Sequence, residues 1–95
     1  MQKIGGILSE ILSEMLNNPE VARVFLRELW PQMVGAELAG KIQPEGLTRG
    51  TLGVSAVDPE WEKAIREMLP LLKQSVNSFW NYPLVERIVV RRRLG

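Results

Sequence analysis

The chain contains the same helix-start signal twice, as Asn18-Pro19-Glu20 and as Asp58-Pro59-Glu60. In each signal the first side chain accepts from an unpaired backbone N–H group, proline fits the first helical position, and the acid faces the positive end of the helix dipole. Two helices therefore begin at fixed points. These two helix starts divide the chain into three segments, and the secondary structure of each segment has to be compatible with them.

An amphipathic helix is predicted over residues 1–17. Apolar side chains recur there at steps of three and four residues, at Ile4, Ile7, Leu8, Ile11, Leu12 and Met15. The polar face carries Glu10 and Glu14, which an anionic bilayer would repel. We therefore expect this helix to pack against the rest of the domain, or against a second copy, and not on a membrane.

The second helix meets a proline at Pro31. Proline has no N–H group and disfavours the helical conformation of the residue before it, here Trp30. We expect a kink or a restart at this point, followed by a further helical stretch to about Gly40.

Residues 41–57 have the pattern of a β-hairpin whose tight turn is Arg49-Gly50. Pro44 confines the first arm to a sheet edge or to an irregular entry. In the second arm Leu52 and Val54 share one face, and Gly53 on the other face leaves room for the close approach of another element.

The second signal begins a helix in which Pro70 predicts a bend near residues 67–69. Residues 84–92, rich in Val and Ile, predict a last strand. The expected order is ααββαβ. This is an α+β domain spanning residues 1–95, with a three-stranded sheet and helices packed on one face.

Composition excludes several classes of protein. The 95 residues include no cysteine and no histidine, so thiolate nucleophiles, Ser-His-Asp triads and the commonest metal ligands are missing. We expect a protein that is not an enzyme, with no cofactor and no metal site. No apolar run approaches the roughly 20 residues that cross a bilayer, and no signal peptide is apparent, so a cytoplasmic location is the default expectation.

Charge is uneven along the chain. Residues 1–40 carry three basic and five acidic side chains, whereas residues 41–95 carry nine basic and six acidic ones. Arginine's planar fork suits phosphate, so we expect a basic stripe that contacts a nucleic-acid backbone. Its members are Lys41, Arg49, Arg87, Arg91, Arg92 and Arg93. A solubilising tail that protects the sheet edge is the alternative reading of the same charges.

Four aromatic residues also carry a polar group. Trp30 continues the apolar face of its helix and is expected in the core. Trp61 either packs partly on the sheet or is partly exposed, and it is the predicted protein-contact residue. Trp80 and Tyr82 lie at a helix end and in a turn, where partial exposure is usual.

The order of these features resembles the DciA-type family of bacterial replicative-helicase recruiters. The matching residues are Trp30-Pro31-x-Met33-Val34-Gly35-x-x-Leu38-Ala39, then Pro44, Leu47, Gly50, Leu52 and Val54, then Trp61, Leu69 and Leu72, and finally Val85-x-x-Ile88-x-Val90. The resemblance implies a fold similar to a K-homology domain. It also implies a non-enzymatic role in recruiting or loading the DnaB-type replicative helicase, with single- or double-stranded DNA bound through the basic surface.

A second hypothesis belongs to a different class. The chain would be a protein–protein interaction module without a nucleic-acid role, self-associating through its N-terminal helix. Loss of the arginine run would then leave partner binding unchanged.

Overall fold

The computed structural model describes residues 2–91, with side chains from residue 8 onward. Helices α1 (Gln2–Asn17) and α2 (Pro19–Val34) are separated by the single residue Asn18. The Asn18 side chain accepts from the N–H groups of Glu20 and Val21 at 3.0 and 3.4 Å. This confirms the first helix-start signal. Helix α1 packs against α2, as expected.

Helix α2 runs through Pro31, so the predicted interruption at Trp30 and Pro31 was wrong in its position. The helix ends at Val34 and is capped by Gly35, which has φ +95° and ψ 151°, and the short helix α3 (Ala36–Ala39) follows. Trp30 is 3% exposed, and its indole N–H donates to the carbonyl of Ile42 at 2.8 Å. Burial and this hydrogen bond hold Trp30 in the helix against the preference that Pro31 imposes. The predicted restart, ending near Gly40, is confirmed by α3.

The hairpin is confirmed. Strands β1 (Ile42–Thr48) and β2 (Thr51–Ala56) pair antiparallel, with a bulge between Pro44 and Gly46. Arg49 and Gly50 both have positive φ, +52° and +80°. Two successive residues of positive φ are typical of the tight hairpin turn whose twist matches the flanking strands.

The second helix-start signal is also confirmed. Asp58 accepts from the N–H group of Glu60 at 3.0 Å, and a short 3-10 turn (Pro59–Trp61) leads into α4 (Glu62–Glu67). Helix α5 (Leu69–Trp80) follows, with Pro70 in its first turn. The predicted bend is therefore a full interruption at Met68.

The last strand, β3 (Arg87–Val90), is shorter than the predicted span of residues 84–92. Leu84 and Val85 are buried in the core before the strand begins. The Asn77 side chain accepts from the Val85 N–H at 2.8 Å and donates to its carbonyl at 3.0 Å. These bonds occupy the backbone groups of Val85 that a longer strand would use in the sheet.

Strand β3 pairs parallel with β2, which gives a mixed sheet of order β1-β2-β3. One face of the sheet joins the helices in a single core, to which Ile42, Leu47, Leu52 and Val54 contribute. The predicted α+β class, with helices on one face, is confirmed. None of the helices in the described part of the chain is long and apolar enough to cross a membrane.

Candidate nucleic-acid interface

Side chains alternate along β3 between the core and the opposite face of the sheet. Ile88 and Val90 pack against the core, and Arg87 and Arg91 belong to the other face and are exposed. Both arginines are fixed by backbone hydrogen bonds to the hairpin, one to its turn and one to β2. The Arg87 N–H donates to Gly50 at 3.1 Å and the Arg91 N–H to Val54 at 2.7 Å. Four residues apart on an extended chain, their backbones are about 13 Å apart.

The side chain of Arg91 lies directly on the backbone of Gly53. A Cβ atom at position 53 would be 2.7 Å from the Arg91 Nε and 3.0 Å from its Cζ. Gly53 is buried, although Arg91 itself is exposed. The expectation that Gly53 admits a close approach is thus confirmed, and the group that approaches is a guanidinium.

Arg49 is exposed at the tip of the hairpin, at the same end of the sheet as Arg87. The carbonyl of Gly50 receives the N–H groups of both Glu86 and Arg87, which brings the start of β3 against the turn. We call Arg49, Arg87 and Arg91 the arginine patch. Among residues 8–91 the ion pairs are Lys41–Glu37 at 3.7 Å and Arg66–Glu62 at 3.0 Å, and neither includes a member of the patch.

Acidic groups also lie near this region. The Glu86 side chain rests on Gly50, with its Cγ 2.9 Å from the position of a Cβ there. Glu45, in the bulge of β1, accepts a hydrogen bond from the buried hydroxyl of Ser55. An anion bound at this surface would therefore lie closer to the arginine patch than to these two carboxylates.

Lys41 does not join the arginine patch. It precedes β1, so the length of that strand separates its backbone from Arg49 by on the order of 25 Å. Its Nζ lies 4.3 Å from the centroid of the Trp61 ring and 3.7 Å from Glu37 Oε2. The sequence places Lys41 with the other cations, whereas its nearest partners in space are an aromatic ring and a carboxylate.

Arg92 and Arg93 lie outside the described residues, so their place in a basic stripe stays a prediction. Whether Lys41, Arg49, Arg87 and Arg91 contact a nucleic acid also stays a prediction. The structure does establish that Arg49 lies at the hairpin tip, that Arg87 begins β3 and that Arg91 directly follows this strand.

Trp61 is 40% exposed, which decides between its two readings in favour of partial exposure. A cavity of about 260 Å³ lies beside it, with apolar lining from Leu38, Ile42, Ile65 and Met68. The Trp61 site, as we name Trp61, Lys41 and this cavity, is an aromatic ring held by a cation at the border of an apolar depression. The sequence does not indicate the pairing with Lys41, since 20 residues separate the two along the chain.

The expectation for Trp80 was wrong, because Trp80 is 5% exposed. Helix α5 directs Leu72, Val76 and Trp80 inward at four-residue steps. Phe79 meets Trp80 edge to face at 5.1 Å. Tyr82 is 42% exposed, as expected.

Comparison with known proteins assigns the chain to a family. The family model described as Dna[CI] antecedent, DciA, matches residues 3–90. A UPF0232 protein of Rhodococcus jostii (strain RHA1) is 31% identical over 67 residues, which are 70% of this chain and 36% of that protein. The match thus spans about a third of the relative's length. Because the family model covers nearly the whole chain, this protein belongs to the DciA family.

Proposed function

We propose that this chain is a non-enzymatic adapter in DNA replication, which binds DNA and recruits or loads the DnaB-type replicative helicase. Membership of the DciA family supports the replicative role, because that family is associated with helicase loading. The observation that carries the DNA-binding part is the arginine patch, exposed at the hairpin tip and at the two ends of β3 without an ion-pair partner among residues 8–91.

The patch suits a phosphate backbone more than a base sequence. Arg87 and Arg91 are exposed at the two ends of a strand that is hydrogen-bonded to the hairpin, and Arg49 is exposed at the hairpin turn next to Arg87. Guanidinium groups pair with phosphate oxygens through two parallel N–H bonds. The adapter would therefore bind DNA with little dependence on sequence and with a strong dependence on salt.

The Trp61 site is the proposed contact for the helicase. Partly exposed tryptophans beside apolar depressions supply much of the binding energy at protein interfaces. The Lys41 ammonium over the ring restricts the indole before any partner binds. Binding would therefore cost less side-chain entropy at Trp61. The helicase contact and the DNA contact would then use different parts of the surface.

DNA binding is tested by a salt titration of fluorescence anisotropy with a labelled duplex. If three phosphates are neutralised, the logarithm of affinity falls with the logarithm of salt at a slope of about −2 to −3. The double variant R87S/R91S should bind more weakly with a shallower slope. The control R23S/K73S removes two exposed cations from α2 and α5 and should bind as the wild type does. A flat slope for the wild type would reject the phosphate contacts.

Helicase binding is tested by capture of a purified DnaB-type helicase on the immobilised chain, with and without nuclease. Capture that survives nuclease and is lost in W61A supports the proposal. If helicase is captured equally by wild type and W61A, the Trp61 site is not the contact. If the chain captures only itself and no DNA, the self-associating interaction module becomes the better account.

A further inference from the structure

Gly53 has no backbone reason to be glycine. The glycines with positive φ in the described part of the chain are Gly35 and Gly50, so the conformation at position 53 is open to any residue. A glycine in the middle of a strand also weakens that strand, because it has no side chain to pack. The space that a side chain at this position would enter is occupied by the Arg91 guanidinium, whose Nε lies 2.7 Å from where a Cβ would be.

The neighbouring glycine shows that this contact is specific to Gly53. Gly46 is the partner of Gly53 across the β1–β2 ladder, and a Cβ atom at Gly46 would meet nothing within 4 Å. Of the two paired glycines, one is covered by a guanidinium and the other faces open space. The arginine therefore occupies one defined position on the sheet.

Next to Gly53 on the same face of β2 are Thr51 and Ser55. The Ser55 hydroxyl is occupied by Glu45 and is buried. The gap between these two side chains is the space that the missing side chain of Gly53 leaves open. The aliphatic stem and Nε of Arg91 fill that gap, while the residue as a whole stays exposed.

We propose that Gly53 is a positioning residue, whose missing side chain seats the Arg91 guanidinium against β2 and presents it to a DNA phosphate. This inference rests on the proposed DNA-binding function. A long arginine side chain loses rotamer freedom when it grips a ligand, and a side chain that is already seated loses less. Gly53 thus acts on DNA affinity through Arg91 without touching the ligand.

The test compares Gly53→Ala with Gly46→Ala in the same salt titration. G53A should weaken duplex binding roughly three- to tenfold and make the salt slope shallower by about one, as removal of one phosphate contact would. G46A is the matched control and should leave both quantities unchanged. The displaced atoms are the far end of a flexible side chain, so we expect G53A to fold, with a thermal unfolding curve like that of the wild type.

Two further variants separate the failure of this inference from the failure of the proposed function. R91S should reproduce the G53A effect, and G53A/R91S should bind no more weakly than R91S alone. If R91S weakens DNA binding and G53A does not, the positioning role of Gly53 is refuted, while the contact between Arg91 and DNA stands. If R91S binds as the wild type does, the Arg91–phosphate contact itself is refuted.

The contact between Arg91 and Gly53 can also be observed without DNA. In the wild-type protein the Arg91 Nε–H group should show the slow local motion of an ordered side chain, together with a nuclear Overhauser contact to the Gly53 Hα protons. The exposed Arg23 of α2 serves as the mobile reference. If Arg91 is as mobile as Arg23 in the free protein, the inference is overturned whether or not G53A folds.

Discussion

The indole N–H of Trp30 donates to the carbonyl oxygen of Ile42 at 2.8 Å, and both residues are buried. The bond joins the last turns of α2 to the first residue of β1. It explains how the helix continues past Pro31, because Trp30 is held there both by packing and by this hydrogen bond.

Trp30→Phe should lower the free energy of unfolding by about 1–3 kcal/mol, because it leaves the Ile42 carbonyl without its indole donor and removes part of a buried ring. Urea denaturation measures the change. Trp61→Phe is the control at an exposed position, with an expected change within about 0.5 kcal/mol. Equal losses in the two variants would contradict this account of Trp30.

Asn77→Ala should lower the free energy of unfolding by about 2 kcal/mol, since it removes two hydrogen bonds and leaves both backbone groups of Val85 without their partners. The loss should be greatest at the entry to β3, where amide hydrogen exchange would accelerate first. Gln74→Ala, at an exposed position one turn earlier in α5, serves as the control. Unchanged exchange at residues 85–90 would show that Asn77 does not hold this segment.

Arg49→Asn should stabilise the fold and weaken DNA binding at the same time. Arg49 has φ +52°, a conformation that asparagine adopts more readily, so the gain is about 0.5–1 kcal/mol. Removing the cation should lower duplex affinity by about two- to fivefold. Urea denaturation and fluorescence anisotropy measure the two effects.

The comparison for this variant is Arg87→Asn, which removes a cation from a strand. It should weaken DNA binding without stabilising the protein, because asparagine is a poor strand former. If Arg49→Asn binds DNA as tightly as the wild type, Arg49 does not belong to the DNA contact.

Local chemistry made much of the fold predictable. Asn18 and Asp58 act as caps where the sequence places them, and the Arg49-Gly50 turn closes the hairpin. Each of these signals is satisfied by atoms within a few residues. Neighbouring residues are sufficient to determine such features, so tertiary packing did not change them.

The features that the sequence did not predict depend on contacts between distant residues. The continuation of α2 through Pro31 requires Ile42, and the short β3 requires Asn77 to bind Val85. A pattern of periodicity and propensity contains no information about such pairs. Lys41 was placed with the arginines for the same reason, since charge along a sequence does not show that Trp61 lies next to it.

The arginine patch was partly predictable. Alternation along a strand places Arg87 and Arg91 on one face, and the structure shows that alternation. For Gly53 the sequence predicts only that space is left beside β2, and not that Arg91 occupies it. The parallel register of β2 and β3 decides which side chain fills it, and that register joins residues more than 30 positions apart in the sequence.

The proposed adapter uses the arginine patch for DNA and the Trp61 site for the helicase, and a bridging assay tests this division most directly. A DnaB-type helicase is passed over immobilised duplex DNA with the wild-type chain, R87S/R91S, W61A or no chain, and the retained helicase is measured. We expect the wild type to retain several times more helicase than the DNA alone does, and each variant to lose that gain. W61A should still bind the DNA, and R87S/R91S should still bind the helicase. Retention by the wild type no greater than that of the DNA alone, or equal retention by wild type and both variants, would contradict the account.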